Sequence, residues 1–185
     1  YHLARAPPCN LHALPAGLKI PDVCYWPLVE PTEPENPMHH VTLYIDGAAN
    51  GTHAAWSVIA TSNLPMGEAF VGCTYGCVQI APDHPAWIGA TEMDNIAAEL
   101  TALAIAQTVA LRWPHEDQHI CIRPDLSLSR TVASAMTTCR SNPRLAQVCR
   151  IQGLWLASKV SFWEIRGHQG FAWNELADAV AKWAL

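Results

Sequence analysis

The stretch Val41-Thr-Leu-Tyr-Ile-Asp46-Gly47-Ala48-Ala49-Asn50-Gly51 narrows the choice of folds more than any other part of the chain. Val41, Leu43 and Ile45 alternate with Thr42, Tyr44 and Asp46, the period-two pattern of a half-buried strand. Gly, Ala, Ala, Asn and Gly come next, so a turn is expected directly after Asp46. A carboxylate at the end of a core strand stands on the rim of a sheet, where α/β folds bind their ligands. Asp-Gly is also a common hairpin-turn pair, and the stretch alone does not separate the two readings.

Beyond Gly51 the chain reads as strands, then helices alternating with strands. Residues 54–61 and 69–74 have strand composition and are expected as antiparallel neighbours of the first strand. Residues 95–112 form the clearest helix: Leu100, Leu103, Ala104, Gln107 and Leu111 keep helical spacing, and Pro114 closes it. A short buried strand is expected at 119–123, helices at 127–138 and 143–158, a strand at 159–166 and a last helix at 171–184. The order gives an α/β fold, a five-stranded mixed sheet flanked by helices.

Residues 1–40 are different. Eight of the chain's 14 prolines lie there, which favours extended chain over helix or sheet. Leu11, Leu14, Leu18, Ile20 and Trp26 are nevertheless too apolar for a solvated linker. A proline-rich arm or linker over 1–40, lying partly against a domain at 41–185, is expected. The chain begins at Tyr1 rather than Met, as expected for part of a longer protein. With 185 residues and half of them hydrophobic, one domain can bury a sizeable core. Seven cysteines, an odd number at irregular spacing, point to a reducing intracellular compartment (cytoplasm or nucleus), with Cys73 and Cys77 read as buried thiols. The eight tryptophans are assigned mostly to the core. No apolar run reaches the length of a membrane span.

The net charge of −5 does not mark a nucleic-acid binder. Between Arg123 and Arg166, however, seven basic residues face two acids. That local excess fits either a phosphate-binding patch or a set of solvated helix faces.

The acids carry the chemistry. Asp46 closes the first strand, Glu99 sits one turn into the first long helix, Asp125 follows the strand at 119–123, and Asp178 lies early in the last helix. One such acid is ordinary, because helix first turns favour acids. Four converging over one sheet would repel unless a cation neutralised them, and oxygen-only ligands suit magnesium or manganese.

In these residues the chain resembles type 1 ribonuclease H. The resemblance rests on Tyr-Ile-Asp46-Gly47-Ala48-Ala49-Asn50, on Asn95 four residues before Glu99, on the strand ending in Asp125, and on Gly167-His168-Gln169-Gly170 with Asn174 and Asp178. It is most like the ribonuclease H domains of retroelement reverse transcriptases, and it covers about residues 41–185. The resemblance implies sheet order 3-2-1-4-5 with strand 2 antiparallel. It implies two magnesium ions, with manganese as a substitute, held by Asp46, Glu99, Asp125 and Asp178, with Asp46 bridging them. His168 would assist proton transfer or product departure, and Asn50, Asn95 and Asn174 would contact substrate or orient ligands. The implied activity is endonucleolytic hydrolysis of the RNA strand of RNA–DNA hybrids, by a domain attached to a reverse transcriptase. Three features depart from the family pattern. Pro124 precedes Asp125, restricting the backbone there; the glycine-rich turn after the first strand is thinned to Ala54-Ala55; and the basic protruding helix has no counterpart. An inactive binding module, or a fold relative acting on DNA, is the alternative reading.

Overall fold

The structure, a computed structural model, describes residues 11–21, 40–64, 67–115, 118–125, 127–136, 139–165 and 170–185. At its centre is β1 (Val41–Ala49). β2 (Ala54–Leu64) pairs antiparallel with β1, and β3 (Gly67–Cys77) pairs antiparallel with β2. β4 (Ile120–Arg123) lies parallel on the other side of β1, and β5 (Val160–Phe162) lies parallel to β4. The order is β3-β2-β1-β4-β5, as expected. The helices are α1 (Asn95–Leu111), α2 (Ser127–Ala133), α3 (Pro143–Trp155) and α4 (Ala172–Ala184).

The alternation read in β1 sorts the two faces of the sheet. Val41, Leu43 and Ile45 join one core cluster with Leu100, Leu103 of α1 and Leu145, Cys149 of α3. Tyr44 joins a second cluster with Ile59, Cys73 and the α4 residues Trp173, Leu176, Ala177 and Val180. The sheet is therefore covered on both sides, by α1 on one, with α3 packed behind it, and by α4 on the other. Every residue from Ala97 to Ala110 is buried, so α1 has no solvent stripe. A helix apolar all round is a core helix. Two of its buried polar side chains bond to backbone carbonyls: the Gln107 amide donates to Cys149 at 2.9 Å, and the Thr108 hydroxyl to Ala104 at 2.8 Å.

Several boundaries differ from expectation. β1 does not stop at Asp46; Gly47, Ala48 and Ala49 continue it, opposite Trp56, Ala55 and Ala54. Ala54 and Ala55 thus open β2, and the turn falls at 50–53. α2 ends at Ala133, where Gly153 of α3 packs against the Ala133 carbonyl and Ala135 takes a left-handed φ of 60°; Thr137 and Thr138 lie outside the described residues. β5 has three residues, yet its ladder runs on, the Trp163 amide donating to Ile122 and the Ile165 amide to Pro124. Cys73 is buried, but Cys77 is exposed, because it is the last residue of an edge strand. Trp155 is 58% exposed rather than part of the core. Of the basic residues in the positive stretch, Arg140, Arg144 and Arg150 are exposed on α3 and the loop before it, whereas Arg123 is half-buried. Among the described residues no helix is long and apolar enough to cross a membrane.

Candidate metal centre

β1 and β4 run parallel, and their carboxyl ends lie side by side. Asp46 follows Ile45 in β1 and is 5% exposed. Its place in the alternation puts it on the α4 side, opposite Ser57 of β2. The Ser57 hydroxyl donates to the Ala177 carbonyl at 2.7 Å, which fixes α4 to the sheet one residue before Asp178.

Glu99 comes from the opposite face. The β1–β4 pairing ends at Tyr44↔Arg123, and beyond it the Gly47 amide donates to Glu99 Oε1 at 3.1 Å. The glycine is required by the packing. A Cβ at position 47 would lie 2.5 Å from the Glu99 nitrogen and 2.7 Å from Ala98 Cβ, so only glycine lets α1 approach β1 this closely. Asp125 follows β4 with only Pro124 between them. Pro124 removes a donor from the end of the β4–β5 ladder, but its carbonyl still accepts the Ile165 amide at 2.9 Å. With the backbone so held, Asp46, Glu99 and Asp125 each present an oxygen within 4.8 Å of the others.

Two of these three carboxyls, Asp46 and Glu99, are buried and resist ionisation. Burial first, then the charges of Asp125 and Asp178, raise the Asp46 carboxyl to about 8. Burial, then Asp46 and Asp125, hold Glu99 well above the usual carboxylate range. Glu99 Oε2 is buried without a hydrogen-bond partner. Buried polar atoms usually have one, so this oxygen is well suited to take a ligand. Hard oxygen donors, crowded and short of a counter-charge, fit a divalent cation.

Asp178 stands outside the group of three. Its carboxylate accepts from Lys182, one turn on in α4, at 2.7 Å. Its charge still acts on both Asp46 and Glu99. His168 lies outside the described residues. Asn50 is exposed and builds the β1–β2 turn, its side-chain oxygen accepting the amides of Thr52 at 3.1 Å and His53 at 2.9 Å. Asn95 is the first, exposed residue of α1, and the capping role falls to Asp94, which accepts the Ala97 amide at 2.6 Å. Asn174 is 3% exposed near the start of α4, its side-chain oxygen buried without a partner.

Asn142 is a residue that the sequence does not single out. It is fully buried, accepts the amide of Thr91 at 2.9 Å and that of Glu92 at 3.3 Å, and donates to Asp94 at 3.4 Å. It therefore holds the entry to α1, and through it the level at which Glu99 is presented. The only signal is Asn before Pro143, which reads equally as a helix entry of its own.

Neither a protein-family model nor a curated protein matches the sequence. Solved structures do match. Ribonuclease H1 from Halobacterium salinarum superposes with a TM-score of 0.56, at 24% identity over 78% of this chain and 96% of that one. The chain has the ribonuclease H fold. LC11 ribonuclease H1, solved with an RNA/DNA hybrid, superposes at 0.57 with 17% identity over 78% of this chain and 95% of that one. The protease–reverse transcriptase of prototype foamy virus gives 0.58 at 15% identity, over 79% of this chain and 21% of that one.

Proposed function

We propose that the chain is a metal-dependent endonuclease that hydrolyses the RNA strand of RNA–DNA hybrids. The observation that carries this reading is the convergence of Asp46, Glu99 and Asp125 within 4.8 Å at the carboxyl ends of two parallel strands. A solved relative of the fold in complex with an RNA/DNA hybrid supports the substrate class. The match to one fifth of a viral protease–reverse transcriptase supports an origin within a retroelement polyprotein, next to a reverse transcriptase domain.

In this reading Asp46, Glu99 and Asp125 would hold magnesium or manganese between them, with Asp178 adding its charge from α4. Such ions supply an activated water and stabilise the attacking and leaving oxygens of an in-line displacement. The chain's own part is positional. Gly47 and Asn142 set the height of Glu99, the β4–β5 ladder holds Asp125, and Ser57 seats α4 one residue before Asp178, whose charge reaches Asp46. The exposed Arg140, Arg144 and Arg150 have room to meet backbone phosphates. His168 is assigned to proton transfer or product departure by its place in the motif.

The test is a cleavage assay on RNA–DNA hybrid, duplex RNA and duplex DNA with magnesium, manganese or chelator. The RNA strand of the hybrid should be cut only with a divalent cation present. Equal cutting of duplex DNA would overturn the ribonuclease reading, and cutting in excess chelator would overturn the metal.

A further inference from the structure

Residues 11–18 sit on the outer edge of β3, in a part of the chain that the ribonuclease H resemblance does not reach. The His12 amide donates to the Cys73 carbonyl at 2.6 Å, and the Cys73 amide returns to the His12 carbonyl at 2.9 Å. The Cys73 thiol adds a contact to the Ala13 carbonyl at 3.4 Å. A turn comes next, in which the Leu18 amide donates to the Pro15 carbonyl and Gly17 takes a φ of 91°. The turn brings Leu14 and Leu18 back onto one apolar cluster, while Pro15 is buried between them.

That cluster extends to the site. Trp173, Leu176 and Ala177 belong to it, and they are the residues of α4 that lead to Asp178. Trp173 also stacks on Phe70 of β3, ring centres 6.4 Å apart. Among the described residues no side chain caps the start of α4 at Phe171. Ser57 bonds α4 from beneath, and Leu14 and Leu18 pack on the same apolar cluster as its first turns. β3 is shaped to receive the strap, because a Cβ at Gly72 would lie 2.8 Å from Leu11 Cβ.

We propose that residues 11–18 are a positioning strap for the metal centre, closing the β3 edge and holding the first turns of α4 so that Asp178 faces Asp46. This rests on the metal reading above only for its functional half. The segment acts through α4 and touches no reacting group.

The test uses the full chain with Leu14→Ser and Leu18→Ser together. Amide hydrogen exchange in α4 over 172–178 should accelerate by about tenfold or more, with α1 over 97–110 unchanged, because a local opening leaves the rest of the core protected. Manganese, titrated by calorimetry, should bind several-fold more weakly, and a synthetic peptide of residues 11–21 should restore both readouts. Equal acceleration in α1 and α4 overturns the proposal, since the strap would then be a general stabiliser. Unchanged manganese affinity with loosened α4 overturns it too. If the wild-type chain binds no manganese, the metal reading fails, and the exchange data alone decide whether the strap positions α4. Should the double variant not fold, Gly72→Ala takes its place, as it displaces the strap at Leu11 without removing its apolar residues. An α4 exchange rate equal to wild type in that variant then overturns the proposal.

Discussion

Asp46→Asn should abolish hybrid cleavage, by at least about a thousandfold, and leave the metal-free protein as stable as wild type or more so. The rate loss is on the scale of removing a preorganised electrostatic contact from a water-excluded site. The stability effect comes from the crowding. Asp46 is buried beside Asp125 and Asp178, and its carboxyl is raised to about 8 against 3.8 when free. A carboxyl raised in the folded state binds its proton there more tightly than in the unfolded chain. Its contribution to stability is therefore greatest at low pH and is lost as pH rises from about 4 to about 8. Glu99, raised for the same reasons, adds to the same slope. The metal-free wild type should lose stability across that window, and Asp46→Asn, with no proton to lose, should lose less. Magnesium should raise the melting temperature of wild type more than that of the variant, because a ligand that binds only the native state stabilises it by mass action. Denaturant unfolding at pH 5 and pH 8, with chelator and with magnesium, reads all of this. A variant less stable than wild type by a few kcal/mol would make Asp46 a structural residue and sink the cluster argument.

Gly47→Ala should be the most damaging change outside the acids. The added methyl has no room: it meets the Glu99 nitrogen at 2.5 Å and Ala98 at 2.6 and 2.7 Å, all of them backbone or short side chain on a buried helix. Either α1 moves off the sheet or β1 bends, and in both cases the Gly47 amide and Glu99 Oε1 separate. Overpacking of this kind costs about 1–3 kcal/mol. The displacement of Glu99 should lower the cleavage rate about a hundredfold, as small misplacements of reacting groups do. Urea unfolding and hybrid cleavage measure the two effects. A variant with wild-type stability and rate would show that α1 adjusts freely, and that its close approach does not set Glu99.

Much of the fold and the site is legible in the sequence, for a physical reason that differs from element to element. The strand at 41–46 and the helix at 95–112 are long enough for periodicity to speak, and both start where the pattern places them. Asp46 and Asp125 can be read because each follows an apolar strand pattern, and Glu99 because it is an acid inside an apolar helical run. The continuation of β1 through Gly47, Ala48 and Ala49 is not legible. Those residues have poor strand propensity, and they are in the sheet because α1 needs small neighbours there. Asp178 is legible as an acid early in the last helix but not as the partner of Lys182, since an i,i+4 pair forms on any helix surface and does not announce which charge it neutralises. Asn142 stays hidden because a buried asparagine and a turn asparagine look the same in one dimension. The strap at 11–18 shows only as an excess of leucine among prolines.

The parallel pairing of β1 with β4 has a kinetic consequence. β1, β2 and β3 follow one another closely in sequence, so their contacts close small loops. Val41↔Ile120, by contrast, joins residues 79 apart. Closing that loop is entropically the dearer step, and its reward comes only once β4 docks. Asp125 rides on the end of β4, so it reaches Asp46 and Glu99 after the local sheet and α1 have a surface to receive it. The mutual repulsion of the acids then belongs to the native basin and hardly to the barrier before it. Asp125→Asn should accordingly slow metal-free unfolding while leaving the refolding rate nearly unchanged. A refolding rate that rises instead would place the acids together in the transition state.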